Sequence, residues 1–328
     1  MEDRTEPLLR AIDETLFPGP PQYSAEAAAA EAHVDPDLVA RLWRTMGFTE
    51  AEPGELAYYA QDAAALATAR EVLANGTPLE SVIRQTRVMN AAASRVAESL
   101  AEEFLVGLRA LRQAGASEQE IEDLLRATLN PERYDRLMGY FLRRHLRAAL
   151  WRKLATPESQ FGQATLAVGF VDLVRFTALT EEVAEEELDA LISHFGDVAQ
   201  DRITVGGGRM VKMIGDEVMY VADEPDDGVL IALELVEAYA SDERLPSARA
   251  GVAWGEVLSR EGDYFGPVVN LASRIVDVAR PRTVVASDAL HDALAEDQRF
   301  TWRHLPPKRL KGIGLSRLWS PRRAAAEA

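Results

Sequence analysis

The sequence predicts two domains of different class: an all-helical half, then a half of α/β or α+β type. Three observations predict this. The chain has 328 residues, enough for two domains at about 100–200 residues each. From Glu6 to about Leu154 apolar residues recur at helical spacing in an Ala-, Leu-, Arg- and Glu-rich background. Beyond Pro157 short apolar runs of strand length alternate with helical patterns.

In the first half the helical positions are Leu38, Leu42 and Trp43; Val82, Ile83 and Val88; Leu105, Leu108 and Leu111; Ile121, Leu124 and Leu125. Asn75-Gly76-Thr77-Pro78 predicts a helix stop and a new start, with Thr77 as N-cap and Pro78 as the first helical residue. Ser117 and Glu120 predict a capping box. The run Phe141 to Lys153 holds Arg143, Arg144, Arg147, Arg152 and Lys153, with His145 among them and no acid between Asp135 and Glu158. It divides the chain into a helical domain (1–141), a basic linker (142–157) and a second domain (158–323).

In the second half Thr165 to Val171 predicts a buried strand. Arg209 to Ile214 and Val218 to Val221 predict two strands around a tight Gly215-Asp216 turn. Helices are expected at Glu182 to Ile203 and Asp227 to Ala240. Gly206-Gly207-Gly208 lacks the Lys-Ser/Thr of a phosphate loop and reads as a flexible turn. His194 reads as a surface or boundary residue, and the tail from Arg322 as frayed.

Composition excludes several classes. Hydrophobic residues make up 47% and charged residues 27%, which argues against a mainly disordered chain. No cysteine is present, so disulfides, thiolate metal sites and Cys nucleophiles are ruled out. Five scattered histidines make zinc an unexpected ligand. The net charge of −17 disfavours DNA or an anionic membrane as main partner. No apolar run approaches the ~18 residues of a membrane span. Glu2 and Asp3 stand where a signal peptide would carry positive charge. A cytoplasmic protein is expected.

Three segments carry the chemistry. In Phe170 to Thr177, Asp172 closes a buried strand ahead of a turn into a helix. A carboxylate there is a hard ligand for Mg²⁺, and the helix-start N–H groups suit a polyphosphate. In Val211 to Val218, Lys212 and Asp216 flank a hairpin turn. If that hairpin lies beside the first strand, Asp172 and Asp216 face each other across a metal site. In Asp263 to Arg274, Asn270 and Arg274 are four apart and share a helix face. Taken singly, each segment has a bland reading: a cap, a turn, a solvated face.

Together, in order and spacing, they resemble the class III nucleotidyl cyclases in their adenylyl form, over about Ala164 to Trp319. The resemblance implies that Asp172 and Asp216 bind two metal ions, Mg²⁺ or Mn²⁺, and that Lys212 and Asp263 recognise adenine. Asn270 and Arg274 match the transition-state pair, and Lys311, in Lys311-Gly312-Ile313-Gly314, a lysine that contacts terminal phosphates. Lys212 only donates and an ionised Asp263 only accepts. This matches the acceptor N1 and donor amine of adenine, whereas guanine presents the reverse. The resemblance also implies an α+β, ferredoxin-like catalytic domain. It works as a homodimer in which each site takes its metal aspartates from one protomer and its other residues from the partner. ATP is the expected substrate, and cyclic AMP and pyrophosphate the products.

The Gly255 to Asp263 stretch is too short for a dimerisation arm, so the helical half is expected to share in dimer contacts. That half resembles the helical regulatory half of soluble actinobacterial adenylyl cyclases. Tyr23 to Phe48, then Tyr58 to Val82, also resembles the winged-helix start of mercury-resistance-type regulators. Residues 1–140 hold 24 Asp and Glu against 13 Lys and Arg, and DNA readers need a basic face, so no nucleic-acid partner is expected. Regulation by pH through the basic linker, or by a small molecule, is. The competing readings are a diguanylate or guanylyl cyclase, and a non-catalytic nucleotide-binding module.

Overall fold

The computed structural model describes residues 5–17, 19–155, 162–176, 179 and 183–324. Packing divides the chain into two units, Met1–Ala155 and Thr156–Ala328. The basic run therefore belongs to the first unit, and it is helical throughout.

The first unit consists of helices α1 (Thr5–Leu16), α2 (Ala25–Ala32), α3 (Pro36–Thr45), α4 (Ala60–Ala74), α5 (Leu79–Gln113), α6 (Glu118–Thr128) and α7 (Pro131–Ala155). A lone antiparallel bridge, Tyr23 to Tyr58, is its one β-type pairing among the described residues. Two small cores hold it together. Ala28, Ala29 and Ala32 of α2 let α3 and α4 approach closely and pack with Val39, Leu42, Tyr58, Val82 and Ile83. Phe104 and Leu108 of α5 meet Leu125 of α6, with Leu8 and Ile12 alongside. The Ser117–Glu120 capping box forms in both directions. The expected start of α5 shifts by one residue. Pro78 stays extended (ψ 139°) as the N-cap, and its carbonyl takes the first helical bonds, from Ser81 at 2.8 Å and Val82 at 3.2 Å. Thr77 is not the cap.

The second unit is a mixed sheet: β1 (Gln163–Leu173), β2 (Arg209–Ile214), β3 (Glu217–Ala222), β4 (Ala248–Arg260), β5 (Asp263–Phe265), β6 (Val284–Ser287), β7 (Phe300–Leu310) and β8 (Gly314–Arg323). Its helices are α8 (Glu185–Val205), α9 (Pro225–Ser241), α10 (Pro267–Val278) and α11 (Asp288–Ala293). The strand order is β2-β3-β1-β4-β6-β8-β7, with β5 paired to β4 outside that path. Among the first four strands each sheet neighbour is antiparallel to the next, and they follow the sequence β1-α8-β2-β3-α9-β4, which is the ferredoxin-like arrangement.

Each strand alternates its side chains between two cores. Ala167, Val171, Tyr220 and Val252 face α8 and α9. Leu166, Val168, Phe170, Met219 and Val221 face α10, with Ile275 and Val276. α10 lies hard against β4 at Gly251, where an added Cβ would sit 2.4 Å from the backbone nitrogen of Val276.

Two further expectations are refined. Gly206 to Gly208 is a turn, as expected, of a specific hydrogen-bonded kind. Gly207 adopts φ +78°, its N–H reaches the Thr204 carbonyl at 3.2 Å, and that of Gly208 reaches Ile203 at 2.8 Å. This is a Schellman closure of α8. The tail is also ordered further than expected: Arg322 and Arg323 lie in β8, and Arg323 Nη2 meets Glu234 at 2.9 Å. His194 is a boundary residue, as expected: it is partly buried, and its Nε2 lies 2.6 Å from Asp242 Oδ2.

Candidate active site

Asp172 is the penultimate residue of β1. Its register partners are Glu217 on β3 and Arg249 on β4. By strand alternation all three point to the α10 side of the sheet. The β2–β3 hairpin lies beside β1 as the metal reading requires. Gly215 takes φ +60° at the first central position of the two-residue turn, which a side chain would strain. The Leu173 N–H then reaches the Asp216 carbonyl at 3.1 Å. The turn is thereby fixed to the end of β1, and the two aspartates share one neighbourhood.

That neighbourhood is crowded with carboxylates. Burial, and secondarily the Asp172 charge, raise the Asp216 pKa. Burial pushes Glu217 up to about 7, with Asp172, Asp277 and Asp216 adding to the shift. Arg249 is the counterweight. Its Nε and Nη2 donate to Asp172 Oδ2 at 2.8 and 2.7 Å, and its Nη1 donates to the Asp277 carbonyl at 3.1 Å. The second carboxylate oxygen of Asp172 is left out of this grip.

Hard oxygen donors gathered in one partly buried cluster fit a divalent cation such as Mg²⁺ or Mn²⁺. Among the described residues no group of three His, Cys, Asp or Glu is placed to hold one ion. A cation on Asp172 and Asp216 would draw its remaining ligands from backbone, water or substrate.

Lys212 and Asp263 are 51 residues apart in sequence, and Lys212 Nζ donates to Asp263 Oδ2 at 2.5 Å. The lysine does not simply point to solvent, as a strand lysine ordinarily would. Asp263 Oδ1 accepts the Tyr264 N–H at 2.8 Å, which fixes the plane of the carboxylate. Both side chains stay about one-third exposed, 38% and 30%, so a ligand can reach them.

Asn270 and Arg274 lie one turn apart on α10. Arg274 Nη1 meets Asp277 Oδ2 at 3.3 Å. Lys311 is exposed in the turn between β7 and β8. No hydrogen bond or ion pair joins it to the other six residues among those described. Thr177, at the end of the first motif, lies outside the described residues.

Sequence reasoning singled out neither Arg249, Glu217 nor Asp277. Arg249 left a readable signal: a charge inside the apolar strand Ala248 to Val252 requires a buried partner. Its identity was not readable.

Residues 159–319 match the family model described as the adenylate and guanylate cyclase catalytic domain, and residues 5–150 match that of the adenylate cyclase regulatory domain. An adenylate cyclase of Streptomyces coelicolor is 35% identical over 88% of this chain and 76% of its own length. A pH-sensitive adenylate cyclase of Mycobacterium tuberculosis is 32% identical over 97% of this chain and 83% of its own. Among solved structures, the adenylyl cyclase CyaB from P. aeruginosa aligns at 19% identity over 50% of this chain and 96% of that one, with a TM-score of 0.44.

Proposed function

We infer the function from family and site together: this chain belongs to the adenylate cyclases in which a regulatory domain precedes a cyclase catalytic domain. The reading is that it converts ATP to 3′,5′-cyclic AMP and pyrophosphate. The observation that carries the choice of base is the Lys212–Asp263 pair. Lys212 keeps further N–H donors for adenine N1, and Asp263 keeps lone pairs for the exocyclic amine.

In the reaction the ribose 3′-oxygen attacks the α-phosphorus, and the bond to the pyrophosphate oxygen breaks. Two divalent cations held by Asp172 and Asp216 would supply activation of the attacking oxygen and charge neutralisation on the leaving phosphates. Arg274 stabilises the charge growing on the α-phosphate. Asn270 orients the ribose through its ring oxygen. Lys311 contacts the terminal phosphates.

The site is read as composite, between two copies of this chain. Supporting this, exposed Ile214 (58%) and Phe265 (48%) border Asp216 and the Lys212–Asp263 pair, leaving an apolar rim beside a polar site. The helical unit is read as regulatory and dimerising. No residue of α7 is buried, and Leu142, Leu146, Leu150 and Leu154 expose an apolar stripe along it. Among the described residues no helix is long and apolar enough to cross a membrane.

Turnover of ATP and GTP by the wild type, and by a Lys212→Glu, Asp263→Ala double variant, tests the reading. The variant should lose ATP use more than GTP use, by roughly 5- to 150-fold in the ratio, because an unmet buried polar group costs about 1–3 kcal/mol. An unchanged ratio would show that the pair does not read the base. A cyclic guanine product from the wild type would favour the guanylyl or diguanylate alternative. No turnover of any nucleotide with Mn²⁺ would favour a binding module.

A further inference from the structure

Lys212 can meet Asp263 only from the α10 side of the sheet, and regular strand alternation does not put it there. β2 is the edge strand, six residues long, with β3 as its neighbour in the sheet order. Its pairing with β3 runs from Arg209 opposite Val221 to Met210 opposite Tyr220. Unbroken alternation from there would set Lys212 opposite Val218, which belongs to the core under α8 and α9. The register instead shifts between Met210 and Lys212, and Lys212 lies opposite Met219, on the α10 side. Val211 is the extra residue of this β-bulge, and it packs into the same core as Tyr264. The bulge turns the lysine toward Asp263.

A short edge strand holds such a shift weakly, because it is paired on one side alone. Arg209 closes the strand end just ahead of the bulge. Its Nη1 and Nη2 donate to Asp223 Oδ2 and Oδ1 at 2.7 and 2.8 Å, a two-point fork onto the residue that follows β3. Burial works against the guanidinium charge, and hydrogen bonds to Asp223 and to the Tyr264 phenol outweigh it. Its Nε is buried and has no partner among the described residues, a cost that a plain surface ion pair does not carry. Tyr264 follows Asp263 on β5 and donates its N–H to Asp263 Oδ1 at 2.8 Å. Arg209 thus shares β2 with Lys212 and, through Tyr264, reaches the strand that carries Asp263.

We propose that Arg209 is a positioning residue that sets base specificity: its fork onto Asp223 and its contact with Tyr264 pin the bulge at Val211 and so hold Lys212 against Asp263 in the spacing that takes adenine. The proposal rests on the base-reading role of that pair. Arg209 acts through Lys212, not on the nucleotide.

The opposing picture is an ion pair that stabilises the sheet edge and nothing more. Its loss would lower the unfolding midpoint and leave base preference where it was. Loss of a positioning device loosens Lys212, so adenine binding weakens while guanine binding, which the pair does not serve, is spared. Arg209→Lys separates charge from geometry, since it keeps the charge without the fork.

The experiment uses the full chain: wild type, Arg209→Met, Arg209→Lys, Asp223→Ala, and the Lys212→Glu, Asp263→Ala double variant. Calorimetry with Mn²⁺ measures binding of 3′-deoxy-ATP and 3′-deoxy-GTP, which lack the attacking oxygen. Steady-state kcat and KM for ATP are measured alongside, and circular dichroism with the unfolding midpoint reports folding. Each single variant should lower the ATP-to-GTP binding ratio by about 5-fold or more, through weaker binding of the adenine analogue. The KM for ATP should rise by more than kcat falls. A wild-type ratio in a folded Arg209→Met or Asp223→Ala chain would overturn the proposal, whatever the midpoint does. So would a wild-type ratio in Arg209→Lys, because charge alone would then suffice. If Arg209→Met fails to fold, Arg209→Lys and Asp223→Ala decide, the Asp223 side chain being half-exposed. An unchanged ratio in the double variant would instead refute the base-reading role of Lys212 and Asp263 itself, so the two failures are distinguishable.

Discussion

Gly251→Ala adds one methyl group at the contact between β4 and α10. Its Cβ would lie 2.4 Å from Val276 N, 2.7 Å from Ala272 O and 2.9 Å from Val276 Cα. All three are backbone atoms of the helix, so no side chain can swing aside. Ordinary contact begins near 3.4 Å, so α10 must retreat by about 1 Å at its closest point. Arg274 lies between Ala272 and Val276 and moves with them, and Asn270 is one turn away. Overpacking of this kind costs about 1–3 kcal/mol, at about 2–4 °C of unfolding temperature per kcal/mol for a unit of this size. A 1 Å misplacement of reacting groups costs about 100-fold in rate. Steady-state assays with ATP and Mn²⁺ should therefore show kcat/KM down by roughly that factor, with a lowered unfolding midpoint. Lys212 and Asp263 lie on β2 and β5, so ATP-over-GTP preference should survive in whatever activity remains. A Gly251→Ala chain with wild-type kcat and midpoint would show that α10 is not seated on β4 in this way, and would remove the basis for placing Arg274 in the site.

Chains carrying Asp172→Ala and Arg274→Ala should each be inactive alone and recover activity when mixed, because one site of the heterodimer escapes both substitutions. Failure after demonstrated subunit exchange would reject composite sites. Glu217 keeps its proton up to about pH 7 in the fold against an ordinary 4.5. Its contribution to stability is therefore full below about pH 4.5 and is lost as pH rises toward 7, by up to about 3 kcal/mol. In EDTA, Glu217→Gln should match the wild-type unfolding midpoint at pH 4.5 and exceed it at pH 8, and a difference that does not grow with pH would contradict the burial of this carboxyl. Finally, activity of the full chain should depend on pH more steeply than that of residues 158–328. A variant with His145 and its neighbouring arginines neutralised should lose the excess, and three superimposable profiles would reject a pH switch in α7.

Local periodicity was enough to read the helical class of the first unit and β1, β2, β3, α8, α9 and α10 of the second, but it did not single out β4 to β8 or α11. The helices of the first unit follow from 3.6-residue spacing, and β2 spans Arg209–Ile214 as its pattern predicts. The Ser117 cap and the Gly215-Asp216 turn are equally local, since each depends on a few neighbouring residues whose conformational preferences are intrinsic. The motif residues were legible for the same reason: Asn270 and Arg274 share a face because four residues make about one helical turn. Where local reading fell short, the competing preferences were nearly balanced. Pro78 suits both the N-cap and the first turn, and a glycine triplet suits both a loose turn and a Schellman closure. What neighbouring residues do not encode is which strands lie side by side. That Lys212 bonds Asp263, and that Arg249 grips Asp172 while holding the end of α10, follows from the order β2-β3-β1-β4 and its registers. Tertiary structure decided these contacts because a partner 51 or 77 residues away is chosen by the packing of the whole sheet. No single segment's periodicity records that choice.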